Sequence, residues 1–299
     1  MNARQPCELL LVVDGHAFAY RAFYAIRDLR GPGGEPTNAI FGFIKAIDRL
    51  RDLLKPTHLL VVWDGGLAAE RLAALPEYKA QRPPMPNELE RQLPKIIQYL
   101  EAAGVASYQK DGVEADDWIA TITRRATCAG MRVVIASSDK DFMQLVGPAV
   151  GLFNPNDRSE KIWGAAEVRA KTGVEPAQIV DWLSLVGDSV DNIPGVPGVG
   201  TKTAAELINQ FGSVNALYER LAEIKSERLR IALQNNELIV RRNMELVRLN
   251  DQLPGEFSLE NCRVKSASSV SLRKLYEEWG FRSLLRQLGG AQGELFGFV

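Results

Sequence analysis

Leu9-Leu10-Leu11-Val12-Val13-Asp14 is apolar without a polar beat and stops on an acid. A run this short and uniform reads as a strand buried on both faces, the pattern of a parallel sheet covered by helices. It has two companions: Leu59 to Trp63 ends at Asp64, and Val133 to Ala136 leads through Ser137 and Ser138 to Asp139. Helical periodicity fills the intervals. Asn38–Leu54 places Ile40, Phe43, Ile44, Ile47, Leu50 and Leu54 on one face. Strands alternating with helices predict an α/β fold, a mainly parallel central sheet flanked by helices. Ligands of such open sheets bind beyond the carboxyl ends of the strands.

Acids collect at those ends and at helix starts: Asp14, Asp64, Glu114, Asp116, Asp117, Asp139, Asp141, Asp188 and Asp191. Glu114 and Asp117 share a helix face, with Asp116 in the same first turn. Asp139 and Asp141 flank Lys140 in a strand-to-helix loop. Any one of these acids could be a helix cap. Together they would repel one another unless cations sat among them, and hard divalent ions such as Mg²⁺ prefer oxygen ligands. Two ions about 3.5–4 Å apart could clamp the attacking and leaving oxygens of a phosphodiester.

Composition agrees with a globular chain. It has 299 residues, 46% of them hydrophobic and 24% charged, enough for one large domain or two interlocked parts. No run approaches the roughly 18 apolar residues of a membrane helix, and Cys7–Val13 is too short for a signal peptide's core. Three dispersed cysteines suit a reducing, cytoplasmic setting, and two histidines are too few for a histidine-rich metal site. Net charge is −1, but setting the nine acids aside leaves 28 acids against 36 bases. The remaining surface is modestly basic, as phosphate binding requires.

The domain reading follows from this pattern. Residues 1–175 form the α/β core. Residues 67–91, with prolines at 76, 83, 84 and 86, make an excursion too long for a plain connection. Residues 176–288 read as helical, with helices over Lys202–Phe211, Ser213–Ile224, Ser226–Leu249 with breaks, and Ser271–Leu288. Residues 289–299 read as a flexible Gly-rich tail. Within the helical half, Gly195-Val-Pro-Gly198-Val-Gly200-Thr201-Lys202-Thr203 is not a P-loop, because Thr201 separates Gly200 from Lys202 and a helix precedes it. It reads as a helix–hairpin–helix over 192–211, whose second helix offers N–H groups to a phosphate, or as a plain helix–helix turn.

Taken in order, Val13-Asp14-Gly15-His16 with Tyr20-Arg21, Trp63-Asp64, Tyr78-Lys79-Ala80-Gln81-Arg82, Glu114-Ala115-Asp116-Asp117, Asp139-Lys140-Asp141, and Gly187-Asp188 through Asp191-Asn192-Ile193-Pro194-Gly195-Val196 resemble the 5′-nuclease, or flap endonuclease, family. The resemblance covers residues 8 to 288 and is nearest to the nuclease domain of bacterial family-A DNA polymerases. No polymerase domain follows, which implies a stand-alone version. The family implies a PIN-like sheet with the helical region packed against it. It also implies one ion on Asp14, Asp64, Glu114 and Asp116 and another on Asp139, Asp141 and Asp191. Asp117 and Asp188 would then act at a distance.

The same resemblance implies that Arg71 and Lys79 steady the scissile phosphate at a gateway in the 67–91 excursion, with Arg82 and Arg21 as phosphate contacts. The family often carries Phe-Arg where this chain has Glu70-Arg71. Tyr20 either stacks on a frayed base or packs in the core beside Phe18 and Phe23, and His16 has a local structural role. The activity implied is structure-specific cleavage of nicked or branched duplex DNA with a 5′ flap, and of RNA–DNA primer junctions. It would depend on Mg²⁺, with Mn²⁺ as a substitute and K⁺ at the hairpin, and the protein would be monomeric. The alternatives are a PIN-like ribonuclease and a non-catalytic DNA-binding scaffold. In the tail, Gln292, Leu295 and Phe296, with Phe298 beyond, resemble the short peptide by which bacterial replication proteins bind the sliding clamp.

Overall fold

The computed structural model describes residues 8–295, of which 290–295 are described by backbone alone. In chain order the elements begin β1 (Leu9–Asp14), α1 (Gly15–Ala25), α2 (Asn38–Leu54), β2 (His58–Trp63), α3 (Ala69–Ala74), α4 (Asn87–Glu90), α5 (Leu93–Ala102), β3 (Ala106–Gln109) and α6 (Ala115–Cys128). They continue β4 (Arg132–Ala136), β5 (Val150–Phe153), β6 (Ile162–Trp163), α7 (Ala165–Thr172), α8 (Ile179–Val186), α9 (Thr201–Phe211), α10 (Val214–Glu219), α11 (Glu227–Asn235), α12 (Glu237–Val247), α13 (Ser269–Glu278) and α14 (Arg282–Leu295). Two compact units interleave along the chain. One comprises the described parts of Met1–Trp63, Pro84–Gln109 and Glu256–Val299, the other Asp64–Pro83 and Lys110–Gly255.

In the first unit β1, β2 and β3 pair in parallel, in the order β3-β2-β1. The strand at Leu9 is buried almost along its length and β2 entirely, as their unbroken apolar runs require. By contrast β3 alternates half-buried and exposed residues. α2 buries Ile40, Phe43, Ile44, Ile47 and Leu50 on the face that packs against α1 and α5. Its N-terminus has no cap of its own, so Gln92 supplies one: its Oε1 accepts from the N–H groups of Ala39 (2.8 Å) and Ile40 (3.2 Å). Trp63 closes β2 by stacking on Phe43 and taking the edge of the His16 ring at 5.3 Å, which gives His16 the structural role expected of it. Gly15 sits so close to the same indole that a Cβ would lie 2.6 Å from it.

In the second unit β4 pairs parallel with β5, and β5 antiparallel with β6. α6 buries Trp118, Ile119 and Ile122, and the later helices pack around α8, which meets both α9 and α12. Several sequence expectations change. α1 was not anticipated, although Gly15, Phe18, Ala19 and Ala22 mark its buried face. α3, β5, β6 and α7 are too short to announce themselves by periodicity. The helix expected over Ser271–Leu288 is two helices. Gly280, at φ +73°, breaks it, and Phe281 N–H folds back to Tyr276 O at 2.8 Å. Nor does helicity stop at Gly289: α14 continues to Leu295. Among the described residues no helix is long and apolar enough to cross a membrane.

Candidate functional site

Of the nine acids, Asp14 belongs to the first unit and the other eight to the second. Asp14 ends β1, is buried, and caps α1 by accepting the Ala17 N–H at 3.0 Å.

In the second unit the chain after β2 is tied to the start of α6. Gly65 N–H donates to Val113 O at 2.9 Å, Gly112 N–H returns to Gly65 O at 2.7 Å, and Asp64 Oδ1 accepts from Ala115 N–H at 2.8 Å. A Cβ on Gly65 would lie 1.8 Å from Lys110 O, so the close approach requires glycine. Glu114 holds the N-cap position of α6 yet turns away from its own helix, and its Oε1 accepts the Ala68 N–H at 3.1 Å. The acids around α6 therefore come together with the segment that leads into α3.

α3 and the residues after it supply three cations, Arg71, Lys79 and Arg82. Lys79, at φ +57°, bonds Glu114 Oε2 through Nζ and lies 4.0 Å from Asp191 Oδ2. Its backbone N–H donates to Asp191 O at 3.0 Å, and Asn192 Nδ2 reaches back to Glu77 O at 2.9 Å, fastening residues 77–82 to the 188–192 loop. Arg82 pairs with Asp191. Burial works against the Lys79 ammonium, yet Glu114, Asp116 and Asp191 outweigh it and hold its pKa above the usual lysine value. Burial likewise pushes Glu114 up, but Lys79 and then Arg71 prevail and keep its carboxyl below the usual range.

Arg71 requires a correction to its expected place at a gateway. It is buried, and its guanidinium forks onto both oxygens of Asp117 at 2.8 Å each, with Glu114 Oε1 at 3.1 Å. Its remaining donors go to Leu246 O and Arg248 O. Nothing is left to meet a phosphate, and Asp117, which also accepts the Asn250 N–H at 2.8 Å, is equally engaged. Sequence shows the charge of Arg71, on which a phosphate contact could be expected, but not its burial against Asp117.

Asp139 caps the 3-10 turn Lys140–Leu145 by accepting the Asp141 N–H at 2.9 Å. Asp188 accepts from Val190 N–H at 2.9 Å and pairs with Lys140 Nζ at 3.2 Å. Asp139 and Asp141 keep some exposed surface, but Asp141 Oδ1 is shut off from solvent with no hydrogen-bond partner. Burial, then Asp139, Asp188 and Asp191, push the Asp141 carboxyl well above its usual range. Asp139 is raised by burial and by Asp191 and Asp188, against the Asp141 N–H that lowers it. Four crowded carboxylates and an orphaned oxygen fit a hard cation. Among the described residues no three acid, histidine or cysteine side chains already close around one point, so an ion would have to draw them in.

Two contributors escaped the sequence reading. Tyr78 Oη donates to Glu114 Oε2 at 3.2 Å and stands 3.5 Å from Asp191 Oδ2. Its signal was adjacency to Lys79. Lys140 pairs with Asp188, and its signal was a base set between two acids.

The 188–191 acids lie on the same loop as the glycine turn. α8 ends at Gly187, at φ +76°, Asp188 and Ile193 exchange two backbone bonds (2.8 and 2.7 Å), and Gly195 packs so tightly that a Cβ would lie 2.1 Å from Val186 O. α9 starts at Thr201 with Gly200 as an N-cap that has no side chain, so its first amides carry no side-chain cap. Gly198, Gly200, Thr201 and Lys202 are exposed and Thr203 is half-buried. On α1, Arg21 is exposed, while the Tyr20 ring is half-buried and stacks at 6.4 Å on Tyr24, which is 65% exposed. Gln292 and Leu295 fall within α14, where only the backbone is described, and Phe296 and Phe298 lie outside the described residues.

Comparison with known proteins returns one consistent group. Residues 9–173 match the 5′-3′ exonuclease N-terminal, resolvase-like domain, and residues 174–269 match the 5′-3′ exonuclease C-terminal SAM fold. A 5′-3′ exonuclease of Aquifex aeolicus is 36% identical over 279 residues, covering 93% of this chain and 94% of the relative. DNA polymerase I of Bacillus caldotenax is 35% identical over 287 residues, covering 95% of this chain but 33% of the polymerase, so the chain spans about a third of that relative's length. The flap endonuclease of bacteriophage T5, solved in a pseudo-enzyme-product complex with DNA and metal ions, has the same fold. Its TM-score is 0.67 at 22% identity, over 94% of this chain and 99% of that one.

Proposed function

Because the chain belongs to the 5′-3′ exonuclease family, both of whose domains it carries, we propose that its second unit cuts DNA strands near a 5′ end with the help of divalent cations. One observation carries the reading: Asp141 presents a buried, unpartnered carboxylate oxygen among Asp139, Asp188 and Asp191, on a chain whose family members are nucleases. Asp139, Asp141 and Asp191 would hold one Mg²⁺, and Asp64, Glu114 and Asp116 would hold another. Mn²⁺, equally at home with oxygen ligands, would substitute. When bound, such ions make a water nucleophilic and neutralise charge on the phosphoryl group.

The chain's own residues do the rest. The Lys79 ammonium, now on Glu114, and the Arg82 guanidinium, now on Asp191, are the cations within reach of an arriving phosphate, whose growing charge they would stabilise. Tyr78 Oη would hold Glu114 and Asp191 in register as those cations leave. Water attacks phosphorus, the bond to the 3′ oxygen breaks, and that oxygen takes up a proton, leaving 5′-phosphate and 3′-hydroxyl ends. Uncapped amides at the start of α9, beside Lys202, would grip a duplex phosphate without reading sequence, and a K⁺ in the glycine turn would serve the same contact. Tyr20, with Tyr24 behind it, would stack on a frayed base. The substrates are nicked or branched duplexes with a 5′ flap and RNA–DNA primer junctions, and the protein would act as a monomer in the cytoplasm. A clamp contact through Gln292–Phe296 rests on sequence alone.

The test is a 5′-flap duplex and a single-stranded RNA, each incubated with Mg²⁺ and with EDTA. Flap cleavage that needs Mg²⁺ and falls at least about a hundredfold in Asp139→Asn and Asp191→Asn supports the mechanism. Flap cleavage untouched by either substitution removes it, and preference for the RNA would favour the PIN-like ribonuclease reading.

A further inference from the structure

Three separate acid segments of the second unit are fastened to one element, α12 and the turn that follows it. Asn243, fully buried on α12, donates from Nδ2 to Ser184 O at 3.0 Å and to Pro194 O at 2.7 Å. Those carbonyls lie on either side of the loop that carries Asp188 and Asp191, so one amide pins both its feet. Gln144 does the equivalent for the Asp139–Asp141 turn. Its Nε2 donates to Asp141 O at 2.9 Å and Val247 O at 3.0 Å, while Oε1 accepts the Leu249 N–H at 3.0 Å. The start of α6 is joined by the Arg71–Asp117 fork, which takes Leu246 O, Arg248 O and the Asn250 N–H. Thr121 completes the fastening through Asn250 O and Leu253 N–H.

We propose that α12 with its trailing turn is a brace that sets the spacing between the acid loops, and that Asn243 and Gln144 are its positioning residues. The physical reason is that the acids repel. Asp139, Asp141, Asp188 and Asp191 sit on loops that would part without an outside constraint. A helix is the stiffest ruler available, at about 1.5 Å per residue. From Asn243 to Val247 is about one turn, so the two fastening points cannot drift independently. Neither amide faces a reacting atom, and both act by holding backbone on which carboxylates ride. Partners that hydrogen-bond metal ligands directly typically tune metal affinity about 10–100-fold, and amides that fix the ligand-bearing backbone would act on the same ligand positions. The proposal rests on the metal-binding reading above.

The test is a Mn²⁺ titration of the full chain without DNA, with free ion counted by electron paramagnetic resonance. It compares wild type, Asn243→Ala, Gln144→Leu and, as a control for lost stability alone, Leu233→Ala in the core of α11. Gln144 is half-buried, so Gln144→Leu keeps the test available if Asn243→Ala does not fold. The brace predicts Mn²⁺ affinity weakened at least about tenfold in the amide variants but not in Leu233→Ala, with kcat on a flap duplex recovered at high Mn²⁺ and KM for DNA unchanged. Wild-type affinity in both amide variants, or an equal loss in Leu233→Ala, overturns the brace while leaving the metal reading intact. Wild type that takes up no Mn²⁺ overturns both.

Discussion

At Arg71 the guanidinium spends every donor on Asp117, Glu114 and two carbonyls at the end of α12, Leu246 O and Arg248 O. Arg71→Ala would leave Asp117, 4% exposed, as a buried charge without its partner, which typically costs about 3–5 kcal/mol. Urea unfolding should show a loss of that size, and Arg71→Lys should recover only part of it, because an ammonium cannot reproduce the fork. A loss under about 1 kcal/mol for Arg71→Ala would show that Asp117 is solvated after all. Asp141 pulls the other way. Its carboxyl, like that of Asp139, is raised above the ordinary value of 3.8. Between that value and the raised one the folded chain binds more protons than the unfolded chain, so these groups cost stability as pH rises through the window. Without divalent metal, Asp141→Asn should therefore raise Tm near neutral pH, and the gain should fade as pH falls from the raised value toward the usual carboxylate range and be gone below it. A Tm gain independent of pH would contradict the crowding argument.

Elements were legible to different degrees. The strands β1 and β2 were plain because full burial leaves only apolar residues, and α2 because one face repeats over seventeen residues. α1 was obscured by Ala and aromatic residues spread around its circumference, and the split between α13 and α14 by one glycine inside a good helical pattern. Within the glycine turn, sequence does not say which glycine matters. Structure separates them. A Cβ at position 195 meets Val186 O at 2.1 Å, whereas one at position 198 meets nothing within 4 Å, although Gly198 has φ +84°. Gly198→Ala should cost about 1–2 kcal/mol of backbone strain. Gly195→Ala should cost more and displace the turn, lowering both the urea midpoint and nicked-duplex affinity. Equal effects would mean that the turn yields freely at Gly195.

Over the whole molecule, a net charge of −1 hides a division of labour. Nine acids are candidates for a cation site, and most of the bases other than Arg71 and Lys79 keep exposed surface. Nicked-duplex binding should therefore weaken steeply with salt, by about a hundredfold or more between 50 and 200 mM, through release of counterions. Salt-independent binding would show that the exposed bases are not the contact surface.

The candidate acids could be picked out in advance because, although any one could be a cap, so many carboxylates at strand ends and helix starts would repel one another without a cation. Asn243 and Gln144 could not, since a neutral amide on a helix looks like any solvated polar residue until the backbone it holds is seen. By itself the sequence determined the strand and helix alternation, the acid set and the family, all of which depend on residue type and spacing along the chain. Only tertiary structure decided which cations were buried, with Arg71 locked to Asp117 and Lys79 left on Glu114, and which amides joined separate acid loops. Those outcomes depend on segments far apart in sequence meeting in space, where burial turns a modest surface charge into a strong constraint.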